Sequence, residues 1–410
     1  MTQPHTGFAF PTGVTEPEYD LWSETVNIDP TGIFDGLNQA DASWRAKARK
    51  FVLEEVKNDI HEYWDKAEYP LHLLTKLGDA DLLRDGLAIE GREAMSPLAA
   101  GLVNMEMARG DGSVGTIIGV QGGLALRSVI YCGSPEQIAT YGQRMLSGEL
   151  PGAFALTEPT HGSDSVSLET AARKVEGGYV LSGEKKWIGN GSIGGISIVW
   201  ARDEEGKVRG FIVHQDAQGY SATTITNKLS LRAIWQAHIR MDEVFVPDED
   251  VLPGATSFKD TSRVLFATRL GVAWAAVGHA TACYESAVNY AKQRIQFGRP
   301  LAASQIVQER LARMQSELAT IQLMVMQATT RETAGTLTGP QASLAKYTAT
   351  RTARSVASNA RDLLGGNGIL TSNRVARHFA DMEALHTYEG TETVQALIMG
   401  RDITGFSAFA

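Results

Sequence analysis

Three textures of apolar and polar positions follow one another along the chain. From about Asp41, Trp44, Ala48, Phe51, Val52 and Val56 recur at helical spacing, followed by Trp64 and the stretch Leu71 to Leu77. A more apolar run from Ala99 to Leu126 carries Gly110, Gly112, Gly115 and Gly119, small residues that let helices pack closely or leave room for a ligand. From about Pro151 the period becomes that of strands. Val175 and Tyr179 to Leu181 flank Gly177-Gly178, a hairpin signal, and Ile196 to Trp200 and Val208 to Val213 flank a polar turn. Ile239, Met241, Val244 and Val246 alternate up to Pro247. Helices return near Thr261. From Val307, the positions Leu311, Met314, Leu318, Ile321 and Val325 form the seam of an antiparallel bundle or of an oligomer interface. A further helix starts beside Pro340 and stops at Gly365. The pattern predicts a multidomain α+β chain: a polar arm over 1–28, a helical domain over 29–152, a β domain over 153–260 and a helical domain over 261–410. A neighbouring subunit is one surface for that arm to lie on.

Composition narrows the class. At 410 residues the chain needs more than one core, since single cores stop growing near ~250–300 residues. A net charge of -9 argues against a nucleic-acid partner, which requires a positive footprint. No run approaches the ~20 apolar residues that cross a bilayer, and no charged-then-apolar signal opens the chain, so no membrane partner is expected. Cys132 and Cys283 lie far apart without metal spacing and read as reduced core residues. The ending Phe406-Ser407-Ala408-Phe409-Ala410 is no organelle address, which leaves the cytoplasm as the expected location.

Five short segments have the composition of a site. Leu156-Thr157-Glu158-Pro159 runs into His161-Gly162-Ser163-Asp164, a strand end rich in hydroxyls that suits a polar heterocycle or phosphate; an ordinary turn has the same composition. Trp187-Ile188-Gly189-Asn190 places an aromatic beside glycines, fit for stacking on a flat cofactor or for a core before a turn. Arg294-Ile295-Gln296-Phe297-Gly298-Arg299 joins two helices and is either a pyrophosphate and adenine clamp or a helix cap with exposed arginines. Arg269 opens an apolar helix, where it must meet a phosphate or a protein carboxylate. Gly365-Gly366-Asn367-Gly368 precedes Tyr388-Glu389-Gly390-Thr391, a lone carboxylate between a ring and a glycine. A base for a weakly acidic proton needs such an apolar setting. No dinucleotide fingerprint, Walker loop or nucleophile elbow is present, and the histidines lack ligand spacing, so no metal is expected.

In this order the segments resemble the acyl-CoA dehydrogenase/oxidase superfamily over about residues 40–405. The chain looks most like the glutaryl-CoA dehydrogenases and plant short-chain acyl-CoA oxidases. Val246-Pro247-Asp248-Glu249-Asp250, Thr350 to Arg354 and Arg401 to Gly405 fit that branch. The resemblance implies an N-terminal helical domain, a middle β-barrel, a C-terminal four-helix bundle and non-covalent FAD between barrel and bundle. By analogy Leu156, Thr157, Trp187, Ile188 and Gly189 border the isoalloxazine, and Ser163 borders both flavin and pantetheine. Arg294, Phe297 and Gln305 bind the adenosine diphosphate half, commonly that of a neighbouring subunit, and Asp362, Gly365 and Gly366 approach the same half. Thr391 and Thr393 contact the flavin from the far side, and Arg269 holds a CoA phosphate or anchors its region. Tyr388, Gly390, Gly115 and Thr116 border the acyl group.

Glu389 falls on the base position of this branch, so the implied reaction is removal of an α-proton as the β-hydrogen leaves as hydride to flavin N5, giving a trans-2-enoyl-CoA. A homotetramer built as a dimer of dimers and an electron-transfer flavoprotein as electron acceptor come with the resemblance. An oxidase using O2, a glutaryl-CoA dehydrogenase and a catalytically silent homologue are the competing readings. Two departures matter. Gly189 stands where many dehydrogenases have Thr near N5, which removes a hydroxyl and is expected to open space for oxygen. Gly115 falls where glutaryl-CoA dehydrogenases place an arginine for the distal carboxylate, so an uncharged short or medium acyl chain is expected.

Overall fold

The structure is a computed structural model and describes residues 18–409; the first part of the expected arm lies outside them. Residues 18–28 pack against the C-terminal helices of their own chain. Leu21 and Val26 are buried, and the backbone carbonyls of Leu21, Ser23 and Ile28 accept from Ser286, Asn289 and Gln322 at 3.3, 2.8 and 2.9 Å.

The N-terminal helices are α1 (Gln39–Phe51), α2 (Ile60–Lys66), α3 (His72–Asp79), α4 (Pro97–Gly110), α5 (Gly112–Ile118), α6 (Arg127–Cys132), α7 (Pro135–Gln137) and α8 (Gln143–Leu146). Ser96 caps α4 by accepting from the Ala99 N–H, with Pro97 in the first turn. Asp111 caps α5 in the same way through Ser113. A π-helical stretch, Gly119–Leu126, joins α5 to α6, and such stretches recur at functional sites. Gly122 within it is obligatory, because a Cβ there would stand 1.7 Å from the Leu83 carbonyl oxygen. The continuous helical run Gly112–Cys132 has 21 residues at mean hydropathy 1.3, so the expectation that no segment is long and apolar enough to span a bilayer does not hold on length and composition alone. Its most apolar window is 67% buried inside the protein, which marks it as a core helix.

The middle block is one curled sheet of seven strands: β1 (Gly152–Ala155), β2 (Ala171–Val175), β3 (Gly178–Gly189), β4 (Ile196–Asp203), β5 (Val208–His214), β6 (Tyr220–Ile225) and β7 (Gln236–Pro247). β4 pairs with β5 on one edge and, in parallel, with β1 and β2 on the other; β3, β7 and β6 complete the order. Both faces of β4 are buried. Val199 and Ala201 face Phe211, Ile239 and Val244 inside the curl, while Ile198 and Trp200 pack with Leu126, Val129 and Met145 of the helical domain. That double burial explains why β4 is almost continuously apolar from Ile196 to Ala201, with Ser197 the one polar residue.

The C-terminal block is a helical bundle. α9 (Phe258–Gln293) is 36 residues long, and after a short hairpin of β8 (Ile295–Gln296) and β9 (Arg299–Pro300) come α10 (Gln305–Thr333) and α11 (Gly339–Leu363). α12 (Arg374–Thr387) and α13 (Glu392–Thr404) close it. The predicted seam of α10 is its buried face, with Met314, Leu318, Ile321 and Val325 all fully buried. α11 starts with a reciprocal cap between Thr338 and Gln341 beside Pro340, and the chain leaves it through Gly365 in the left-handed region.

Candidate active site

The site is built around the turn from α12 into α13. The Tyr388 N–H closes α12 on the Ala384 carbonyl at 2.9 Å, and Thr391 caps α13 by accepting from Val394. Between them Glu389 has φ +51° and Gly390 φ +84°. The left-handed region suits the glycine but costs a glutamate about 1 kcal/mol or more, so surrounding contacts must enforce it. Lys346 of α11, 1% exposed, donates to the carbonyls of Tyr388 and, at 2.5 Å, Gly390. Gln395 Nε2 donates to the carbonyls of Glu389 at 2.9 Å and Gly390 at 3.2 Å.

The Glu389 carboxylate accepts from the Thr268 hydroxyl of α9 at 3.0 Å. Burial pushes its pKa up, against the pull of the Lys346 ammonium, the Thr268 hydroxyl and the Arg269 guanidinium. Arg269 lies beside Ser343 at 3.5 Å and within the field of Glu389, and forms no salt bridge among the described residues. Thr116 stands at the Tyr388 hydroxyl.

A second wall comes from the sheet. The Lys186 N–H donates to the Thr157 carbonyl at 2.8 Å, which lays Leu156-Thr157 along the end of β3. A β-bulge interrupts β3 between Lys186 and Ile188, so Trp187 has no partner on β7, adopts φ +67° and is 55% exposed. Ile188 beside it is buried. Asn190 holds this strand end to the helical domain, accepting from the Tyr69 hydroxyl at 3.0 Å and donating to the Gly152 carbonyl at 3.1 Å. Ser163 is exposed on the adjoining loop. Glu158, within the same motif, is structural: Lys185, Thr170 and the Glu169 N–H surround it.

The two walls meet through the π-helical stretch. A Cβ on Gly189 would stand 2.8 Å from a γ-carbon of Val120, so Val120 fills the space that Gly189 was expected to open. A Cβ on Gly123 would meet the Thr268 methyl at 3.3 Å and Asp85 Oδ2 at 3.1 Å. Behind Gly123, Asp85 accepts from Asn104 and pairs with Arg127 at 2.8 Å. Asp85, Arg127 and Glu332 border a cavity of about 370 Å³ that is otherwise largely apolar. Burial raises the Glu332 carboxyl to about 6. Gly115 does not face this region: a Cβ there would stand 3.2 Å from the Ala108 backbone, so it serves close packing of α5 on α4.

The remaining expected residues lie elsewhere. Thr268 and Arg294 are 26 positions apart on α9 and its end, which at 1.5 Å per residue is about 39 Å. Arg294 donates to the Tyr19 hydroxyl at 2.7 Å, while Phe297 and Gln305 are exposed beyond it. Asp362 pairs with Arg310 at 2.5 Å, and a Cβ on Gly365 or Gly366 would meet nothing within 4 Å. Thr393 is exposed on the first turn of α13. The residues at the Glu389 end fit a flavin: a bulged, outward tryptophan and a threonine on an adjacent strand end form one wall, and the base loop stands in the other. Arg294, Phe297 and Gln305 lie beyond the far end of α9 from this group. Lys346, Thr268, Gln395 and Val120 went unread in the sequence because each sits at an ordinary core-facing helix position.

The chain matches the acyl-CoA dehydrogenase N-terminal domain over residues 38–149, the middle domain over 153–244 and the C-terminal domain over 258–404. It is 32% identical over 377 residues to an acyl-CoA dehydrogenase of Bacillus subtilis (strain 168), covering 90% of this chain and 99% of that one. A crystal structure of glutaryl-CoA dehydrogenase from Mycobacterium smegmatis superposes with TM-score 0.90 at 37% identity over 92% of this chain and 98% of that one. A glutaryl-CoA dehydrogenase structure from the same organism, in complex with FADH2, gives TM-score 0.89 at 33% identity over the same shares of the two chains. Butyryl-CoA dehydrogenase from Megasphaera elsdenii gives TM-score 0.84 at 27% identity over 90% and 98%.

Proposed function

The chain belongs to the acyl-CoA dehydrogenase family of FAD-dependent oxidoreductases, and we propose that it dehydrogenates a short- or medium-chain uncharged acyl-CoA to the trans-2-enoyl-CoA. One observation carries this reading: a single turn presents both a carboxylate and a backbone N–H from the same residue. The Glu389 N–H has no backbone acceptor among the described residues. A thioester α-proton is too weakly acidic for a carboxylate in water, so developing enolate charge must meet a fixed donor. The Glu389 N–H serves as that donor, and the Glu389 carboxylate takes the proton. Thr268 holds the carboxylate in place. FAD, when bound, supplies the hydride acceptor. With FAD loaded, Glu389→Gln is expected to keep its yellow colour and fail to bleach with butyryl-CoA. Full bleaching by that variant overturns the assignment.

The acyl scope follows from charge. No cation occupies position 115, and Arg127 is already committed to Asp85. Glu332 leaves the surroundings of the cavity with an excess of acid. A distal carboxylate would therefore be desolvated without a partner. Val120 at the Gly189 position favours a dehydrogenase that passes electrons to an electron-transfer flavoprotein over an oxidase, because it leaves no added space there for oxygen. The Trp-Ile-Gly-Asn strand end is the feature that favours the oxidase. The exposed Phe297 and the distance of Arg294 from Thr268 support a homotetramer in which those residues serve a second copy, which a solution mass measurement tests.

A further inference from the structure

A buried ammonium requires partners, and those of Lys346 are unusual. It forms no salt bridge among the described residues; both of its hydrogen bonds go to carbonyl oxygens, and these flank Glu389 on either side. A trans peptide points its C=O and its N–H in opposite directions, and the Tyr388 carbonyl shares its peptide plane with the Glu389 N–H. Holding the Tyr388 oxygen against α11 therefore turns the Glu389 N–H away from α11. The Gly390 carbonyl is held by the same ammonium, and Gln395 holds the Glu389 carbonyl between them. All three carbonyls of the turn face inward. The left-handed backbone of Glu389 is what such a grip imposes.

The same ammonium sets the charge around the carboxylate. The groups facing Glu389 are Lys346 from α11, Arg269 and the Thr268 hydroxyl from α9, and Asp85 from the loop before α4. Arg269 is half-satisfied, with its Nε lacking a hydrogen-bond partner among the described residues, and Asp85 opposes it in sign.

Resting on the dehydrogenase reading above, we propose that Lys346 is the positioning residue of this active site: it orients the Glu389 N–H towards the thioester oxygen and places a positive charge against the turn that carries the base. It touches neither substrate nor cofactor. Removing it acts on two separable quantities. Loss of the carbonyl grip lowers the rate at every pH. Loss of the positive charge makes Glu389 harder to ionise, so the acid limb of the pH profile moves to higher pH.

The test uses the FAD-loaded full chain as wild type, Lys346→Met and Lys346→Gln, with butyryl-CoA as the probe. For Lys346→Met, flavin bleaching is expected to slow about 100-fold or more at the optimum, the scale of a lost oxyanion donor. Its acid limb is expected to rise by about one pH unit. Lys346→Gln keeps amide donors for the carbonyls but no charge, so it is expected to recover rate at high pH while keeping the displaced limb. A side chain needed only for folding would not separate the two effects. Both limbs unmoved, or a wild-type rate in Lys346→Met, overturns the proposal. If Lys346→Met does not retain FAD, the limb of Lys346→Gln decides in the same way. Wild type that never bleaches with any acyl-CoA, or Glu389→Gln that bleaches fully, refutes the dehydrogenase reading instead.

Discussion

Gly189 and Val120 form a coupled pair, and restoring the hydroxyl common in related enzymes should fail unless both change. The Cβ of Gly189→Thr would approach one Val120 γ-carbon to 2.8 Å and the other to 3.3 Å, inside normal contact. Val120 cannot swing away, since a β-branched side chain on a helix has one strongly preferred rotamer. Overpacking of this kind costs about 1–3 kcal/mol. Val120→Ala alone removes two methyl groups from a partly buried position, a loss of about 1 kcal/mol. If the sites were independent the double variant would lose the sum, about 2–4 kcal/mol. Because Val120→Ala removes the colliding atoms, the double variant should instead retain at least about 1 kcal/mol of that sum. Thermal unfolding of the FAD-loaded protein at fixed protein and FAD concentration reads this as about 1 °C of coupling or more. Peroxide released per acyl-CoA oxidised in air reads the functional side. It should be low in wild type and rise in Val120→Ala, which vacates the strand end. A stable Gly189→Thr single variant, additive losses and unchanged peroxide would together refute the idea that Val120 closes this space.

Two further outcomes follow from charges placed by the fold. Glu158 accepts from Lys185, Thr170 and the Glu169 N–H, and although burial opposes ionisation these hold its carboxyl down to about 2. A depressed carboxyl contributes stability above its unfolded value near ~4.3 and loses it as pH falls through the folded one, here on the order of 3 kcal/mol. Lys185→Met should therefore cost about 3–5 kcal/mol by stranding the carboxylate and raise the pH of acid unfolding, read by near-ultraviolet circular dichroism; an unmoved acid midpoint would contradict it. On the substrate side, kcat/KM for glutaryl-CoA should fall at least about 100-fold below that for butyryl-CoA, since an unpaired buried carboxylate costs several kcal/mol. Faster turnover of glutaryl-CoA would show that Arg127 leaves Asp85 to serve the substrate.

What could be read in the sequence, and what could not, divides along a physical line. Glu389 was visible because its neighbours are unusual for a helix end, and Trp187 because an aromatic beside glycines interrupts a strand's alternation. The period of the bundle seam identified Met314 to Val325 for the same reason: local composition records local backbone geometry. Lys346 gave no such sign. It lies in a helix whose pattern is satisfied without it, and only the fold brings it under the Tyr388 and Gly390 carbonyls, more than forty positions away in the chain. Gly115 and Gly189 show the reverse error. A glycine tells that something approaches closely, but not what. At Gly115 it is the backbone of Ala108, and at Gly189 the side chain of Val120, neither of them a ligand. A glycine at an aligned position therefore removes the family side chain without leaving its volume behind, and the neighbour that takes up that volume becomes the specificity element. By that reasoning we expect acceptor choice to follow Val120 rather than Gly189, read by peroxide yield, and acyl choice to follow the charge balance of Asp85, Arg127 and Glu332 rather than Gly115, read by the glutaryl-CoA to butyryl-CoA ratio.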